Sequence, residues 1–309
     1  MVVQQRRRGG GSAVTAVAAG ALAAVVLATT GCSGGGAAAE DQRAADPVDT
    51  LHRAVAALRA AGSAKARTSM EMASGGTRVT IRGEGAYDFA KPLGRLKVML
   101  PEDPAGVDEH RPITELLAPG ALYMKNRGAG VPADKWVRID TAGLADGNLV
   151  TGGATDPLAA AELLLGASAV SYVGETRLAG VPVRHYRGTT EIGRAAERAS
   201  GANRKVLRAA AKGFAEDTVP FDAYVDDQGR LRKIRHRFTF ANDLRAEDVR
   251  AEDVRAEDVR ADGVRAKGAP AQGEDVVVTS TTLLSGFGTA VKAELPAAED
   301  IFAGKIAGR

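Results

Sequence analysis

The stretch "VPFDAYVDDQGRLRKIRHRFTF", Val219 to Phe240, decides the fold. Phe221–Val225 and Arg230–Phe240 alternate with a period of two, and Asp226-Asp227-Gln228-Gly229 between them is a turn sequence, so the stretch predicts a β-hairpin. In its second arm Ile234, His236, Phe238 and Phe240 share one face, while Lys233, Arg235, Arg237 and Thr239 share the other. One apolar face and one solvated face mark an antiparallel sheet covered on a single side.

The same period recurs on both sides of the hairpin. Thr77–Ile81, Ala86–Phe89, Arg95–Leu100, Leu122–Lys125 and Lys135–Asp140 are short alternating runs punctuated by Gly and Pro, and Ser171–Leu178 and Val183–Thr190 follow further on. A final strand, Val276–Leu284, leads to Val291–Leu295 and a short tail. Three helices are expected among these strands. Asp46 caps and Pro47 opens the first, where Val48, Leu51, Val55 and Leu58 recur at helical spacing up to Gly62. Asp156-Pro157 opens the second, "DPLAAAELLLGAS", by the same logic, and the third covers about 194–215. The class is therefore α+β, a curved antiparallel sheet closing over helices.

The N-terminus follows other rules. Arg6, Arg7 and Arg8 precede an uncharged Ala/Val/Leu stretch, Ser12 to Thr30, and Gly31 precedes Cys32, the only cysteine of the 309 residues. This is the pattern of a cleavable signal peptide over residues 1–31. The alternative is a short membrane anchor, but the stretch is rich in Ala and Thr and broken by Gly20, unlike a spanning helix of about 20 mostly apolar residues. A lone cysteine cannot form an internal disulfide, and Cys32 has no neighbouring base or metal partner. As a new N-terminus that accepts a diacylglycerol it needs only a small neighbour and an accessible loop. Residues 32–45 then read as a Gly/Ala-rich tether, and 46–309 as one domain.

Cleavage would leave a neutral mature chain. Removing residues 1–31, which hold three of the 41 basic residues and no acid, leaves 38 basic against 38 acidic. No electrostatic case remains for nucleic acid or for a polybasic membrane patch. A monomer is expected.

One segment cannot build a core. Arg245 to Ala269, "RAEDVRAEDVRAEDVRADGVRAKGA", holds five decaying units of five residues. On a helix this period turns each Val by about 140°, and on a strand it sends successive Val to opposite sides. The region at about 243–274 is read as a low-complexity insertion, a solvated loop or mobile helix, with a partner-binding arm as the alternative.

Catalytic patterns are missing. The four histidines, His52, His110, His185 and His236, form no HxxxH or HExxH, and there is no nucleophile elbow, Walker loop or dinucleotide fingerprint. No catalytic residue, metal or cofactor is therefore expected, and the chain is not read as an enzyme. His236, on the apolar face, is read as a core or rim histidine, with pH sensing as the alternative. Trp136 and Tyr123, on adjacent strands, are read as packing residues before sugar-stacking ones.

The strings "ALYMKNRG", "DKWVRID", "DPLAAAELLLGAS", "YVGETRLAGVPVRHYRGTTEI" and "VPFDAYVDDQGRLRKIRHRFTF", in this order, resemble the LppX/LprG-type envelope lipoproteins of high-GC Gram-positive bacteria. The stretch around Cys32 resembles the lipobox of bacterial lipoproteins, with Thr29 where Leu is usual. The resemblance implies a half-open antiparallel β-barrel with helices on its concave side, similar to the LolA/LolB carriers. It further implies lipidation of Cys32, anchoring to the outer face of the cell membrane, and an acylated lipid or glycolipid carried in an apolar cavity. The residues expected to line that cavity are Leu163, Leu164, Ile234, Phe238 and Phe240. The competing expectation is a scaffold or sensor domain that contacts another envelope protein.

Overall fold

Strand order explains the architecture before any helix is placed. The structure is a computed structural model and describes residues 46–74, 77–101, 112–128, 130–214, 216–240 and 276–303. Cys32, the segments 1–31 and 32–45, His110 and the repeat insertion lie outside the described residues.

The described strands are β1 (Ser63–Ser74), β2 (Thr77–Asp88), β3 (Leu93–Met99), β4 (Ile113–Ala118), β5 (Ala121–Lys125), β6 (Trp136–Asp140), β7 (Ala167–Leu178), β8 (Val181–Glu191), β9 (Thr218–Asp226), β10 (Leu231–Phe240) and β11 (Val276–Ser285). They pair antiparallel in one sheet of order β6-β5-β4-β3-β2-β1-β11-β10-β9-β8-β7. Two meanders, β1–β6 and β7–β11, are thus joined where the last strand pairs with the first, Thr68 opposite Thr282. Strands β6 and β7 do not pair with each other, so the sheet is unclosed.

Four helices accompany the described strands: α1 (Pro47–Ala60), α2 (Pro157–Glu162), α3 (Ile192–Arg198) and α4 (Gly201–Gly213). Asp46 caps α1 as expected, its Oδ1 accepting from the Val48 amide at 2.7 Å. The helix buries Leu51, Ala54, Val55 and Leu58 and packs against β7, β9 and β10. One apolar cluster then runs from Leu122 on β5 through Leu96 and Leu58 to Phe221 on β9. Those two strands stand seven places apart in the sheet, about 34 Å if it were flat. Curvature around the helices brings them to one core. A second cluster joins α3, α4, Leu163 and Phe238.

On the other face, Leu116, Tyr123 and Trp136 are covered by Ala293 and Ile301 of the C-terminal segment, and the Phe302 amide donates to the Trp136 carbonyl at 2.8 Å. The packing reading of Trp136 and Tyr123 matches this arrangement.

Several boundaries differ from the sequence reading. Thr77–Ile81 and Ala86–Phe89 belong to one strand, because Gly83 and Gly85 mark close approach and do not interrupt it: a Cβ on Gly85 would lie 1.9 Å from the Arg95 carbonyl oxygen. Strands β1 and β4 are not among the expected ones; of the buried inward residues of β1, Ala64, Ala66 and Thr68 are small and Met70 alone is large, too little to signal a buried face. Helix α2 stops at Glu162 and tightens into a 3-10 turn, Leu163–Gly166, before β7 begins. The third predicted helix is two, broken at the extended Ala199-Ser200, where the Ser200 amide turns to the Glu162 carboxylate at 3.4 Å. No regular element forms at 291–295.

Candidate functional site

The concave face of the sheet and the elements that cover it form the candidate site. Three pieces make the cover: α1, the α2 turn of helix with its 3-10 extension, and the segment Leu144–Thr155. Helix α2 is buried along its whole length, with Ala159, Ala160 and Ala161 giving it a thin profile. Its cap does double work: Asp156 Oδ1 accepts from the Leu158 and Ala159 amides at 2.8 and 2.9 Å, while Oδ2 accepts from the Tyr87 hydroxyl at 2.9 Å. Burial pushes the Asp156 carboxyl up to about 6 despite these donors.

Glu162 ties the cover together. Its fully buried carboxylate pairs with the Arg59 guanidinium from α1 and accepts from Asn203 Nδ2 of α4 at 2.8 Å. One acid thus fixes three helices.

The segment Leu144–Thr155 is held mostly by itself. Asp146 Oδ1 accepts from the Asn148 amide at 3.0 Å, and its Oδ2 from the amides of Val150 and Thr151 at 2.8 and 2.7 Å. Thr155 Oγ1 donates to the Leu149 carbonyl at 2.8 Å and lies 2.7 Å from Ser280 Oγ on β11, which takes the donor role there. Gly147 and Gly153 have φ of 58° and 83°, and Gly147 backs onto Val206 where a Cβ would lie 2.3 Å from its carbonyl oxygen.

The expected lining residues fall into two groups. Leu163 and Phe238 meet in the second cluster, where the Phe238 ring stacks on Phe214 at 5.1 Å. Leu164 and Ile234 belong to the first. All four are buried. The Phe240 backbone pairs with Val276, and its side chain lies outside what is described. None of the four lines the recess of about 20 Å³ between the β4–β5 turn, Asn148, Ala159 and Val206, which is room for one water and far too little for an acyl chain.

Two polar groups share this face: His236, which the sequence reading placed there as a core or rim residue, and Glu115, which it did not single out. His236 is buried, its ring 5.8 Å from Phe238 and 6.4 Å from Phe221, and burial holds its imidazole down to about 3. Its Nε2 has no hydrogen-bond partner. Glu115 on β4 is fully buried, both carboxyl oxygens are unpartnered, and burial pushes it well above the usual carboxylate range. Its signal in the sequence was a single acid inside the apolar run "ITELLA".

At the outer end of the sheet the carboxylates behave conventionally. Burial alone would raise Asp226, but the Arg230 amide and the Arg232 and Arg230 guanidinium groups outweigh it and hold the carboxyl below its usual range. This makes Asp226 a turn anchor for the β9–β10 hairpin. Among the described residues no cluster of three or more His, Cys, Asp or Glu is placed to hold a metal.

No protein-family model matches the chain, and no curated protein matches it in sequence. Solved structures similar to it include the lipoprotein LppX of Mycobacterium tuberculosis, at 9% identity and a TM-score of 0.43, covering 81% of this chain and 100% of that one. LprF of Mycobacterium bovis is similar at 11% identity and a TM-score of 0.37, covering 82% and 97%. A LolA-superfamily protein of Nitrosomonas europaea is similar at 9% identity and a TM-score of 0.29, covering 79% and 95%.

Proposed function

We propose that this chain is an extracytoplasmic lipoprotein, anchored through a lipidated Cys32 and the tether 32–45, that takes an acylated lipid or glycolipid into the interior of its sheet and carries it within the envelope. It works as a monomer without catalysis. The observation that carries this reading is the nature of the cover. An apolar cluster runs along the concave face from β5 to β9, and what lies over it among the described residues is short helices and the Leu144–Thr155 segment, not another sheet. Such a cover can lift without breaking a strand ladder. Uptake proceeds by that motion, and burial of acyl chain at roughly 25 cal/mol per Å² drives it.

A protein partner is the second reading, favoured by the edge strand β7, where Tyr172 and Val173 are exposed.

Native mass spectrometry of the full chain, expressed in a lipoprotein-processing bacterium and extracted in mild detergent, tests both. The expected result is a covalent diacylglyceryl adduct that Cys32→Ser abolishes, together with a non-covalent lipid lost on denaturation. A protein free of lipid even after incubation with envelope lipid extract overturns the carrier reading and favours the partner at β7.

A further inference from the structure

The concave face carries polar groups that the fold itself leaves unpaired. Besides Glu115 and His236, these are Thr68 Oγ1 on β1 and Thr282 Oγ1 on β11, which stand opposite each other in register. His236 stands opposite Ser280 on the neighbouring strand. Each buried polar group left unpaired costs about 1–3 kcal/mol, so four on one face are a sizeable burden for a marginally stable fold. Apolar residues at the same positions would relieve it.

One short piece of chain touches the row. A Cβ on Gly153 would lie 3.6 Å from Glu115 Oε1 and 3.6 Å from Val98 Cγ1. A Cβ on Gly83 would lie 2.5 Å from Thr68 Oγ1 and 3.6 Å from the Ala154 Cβ. Thr155 reaches Ser280, beside His236. Gly153, Ala154 and Thr155 therefore cross the row from β4 to β11. Those strands are four places apart, about 19 Å in a flat sheet, yet three consecutive residues span only about 7 Å between their outer Cα atoms. Curvature therefore draws β4 and β11 toward one another beneath this segment.

The chemistry of the row selects its ligand. Glu115, pushed up by burial, is a neutral acid with one donor and one free acceptor, and His236 is a neutral imidazole. The Thr hydroxyls both give and accept. Burial alone shifts Glu115 and His236, with no Lys or Arg acting on either, so a phosphate entering beside them meets no countercharge.

We propose that Glu115, Thr68, Thr282 and His236 form the head-group subsite of the interior, that Gly153–Thr155 is the strap that vacates it, and that the subsite takes an uncharged hydroxyl- or ester-bearing head in preference to a phosphate. This rests on the carrier reading above. Loading replaces the strap with ligand hydroxyls, which pair the four groups and offset their desolvation. The same row sets specificity by what it lacks.

The test uses the full chain in a polyoxyethylene detergent, incubated with equimolar digalactosyl diacylglycerol and phosphatidylglycerol of identical acyl composition, with bound lipid counted by native mass spectrometry. The glycolipid is expected in excess by about tenfold, the factor one buried hydrogen bond carries. Glu115→Gln is expected to keep that excess. Glu115→Leu and Thr68→Val are expected to bring the ratio near one while total lipid uptake persists, and Glu115→Leu to melt higher than the parent. Equal binding by the parent, or an excess that survives Glu115→Leu, overturns the subsite and leaves the carrier reading standing. Binding of neither lipid overturns both.

Discussion

Buried His236 and half-buried Asp156 pull stability in opposite directions with pH. His236 stays neutral in the fold down to about 3, whereas an unfolded imidazole takes its proton near 6.5. The unfolded chain therefore binds more protons below 6.5, and acidification costs stability through this residue. Replacing His236 with Leu removes that cost. Relative to the parent, the variant is expected to gain about 2 kcal/mol as the pH falls from 7.5 to 5, read from urea unfolding at each pH. Asp156 does the reverse. Its folded value of about 6 lies above the 3.8 of a free aspartate, so its contribution is fully present in acid and is lost as the pH rises through 6. Asp156→Asn keeps an acceptor for the α2 amides and is expected to lose ground against the parent between pH 7 and 4, by about 2 to 3 kcal/mol. A flat difference across that range would show that the carboxyl is solvated.

Among the elements, the helices depend on one ion pair more than on their lengths. Helix α2 has six residues, too few to persist alone, and its order comes from burial and from Asp156 and Glu162 at its two ends. Arg59 is partly exposed while Glu162 is fully buried, so the two partners are not equivalent. Arg59→Ala strands a buried carboxylate and is expected to cost about 3 kcal/mol in chemical denaturation. Arg59→Lys restores charge without the planar fork and is expected to recover part of it. Equal stability of the Ala variant and the parent would mean that Asn203 and the Ser200 amide suffice for Glu162.

At the scale of the whole molecule, an unclosed sheet must manage two edges. Edge β6 is covered by the C-terminal segment, with Ile301 bridging Trp136 and Lys135 Nζ donating to the Glu299 carbonyl at 2.8 Å. Edge β7 is protected differently, by register shifts between Ser168 and Ser171 and between Tyr172 and Gly174, and by Ala169 at a φ of 47°. Bulges of this kind spoil the template for edge-to-edge pairing. Deleting residues 293–309 is expected to bare Leu116, Tyr123 and Trp136 and to cost about 2 kcal/mol. Trp136 is the only tryptophan, so its emission reports directly: a red shift is expected, and an unchanged spectrum would mean that the segment does not shield it.

The sequence by itself determined the hairpin at Val219–Phe240, the capped starts at Asp46 and Asp156, and the one-sided burial of β10; the second covered face at β4–β6 came only with the C-terminal segment. Each of those first three is written in neighbouring residues, as a period of two, a cap followed by Pro, or a turn tetrad. It did not determine β1, β2 as one strand, or the break at Ser200. Small inward residues carry little hydrophobic signal in β1, a close backbone approach makes Gly85 necessary in β2, and Glu162, 38 positions away, takes the Ser200 amide. Leu163, Leu164, Ile234 and Phe238, expected to line a cavity, are buried. Which of them meet was decided only by the tertiary structure, as was the placing of Glu115, Thr68, Thr282 and His236 on the face that Gly153–Thr155 crosses. Those groups come from four strands and one connecting segment, and sheet curvature, a property of all eleven strands together, sets the distances among them.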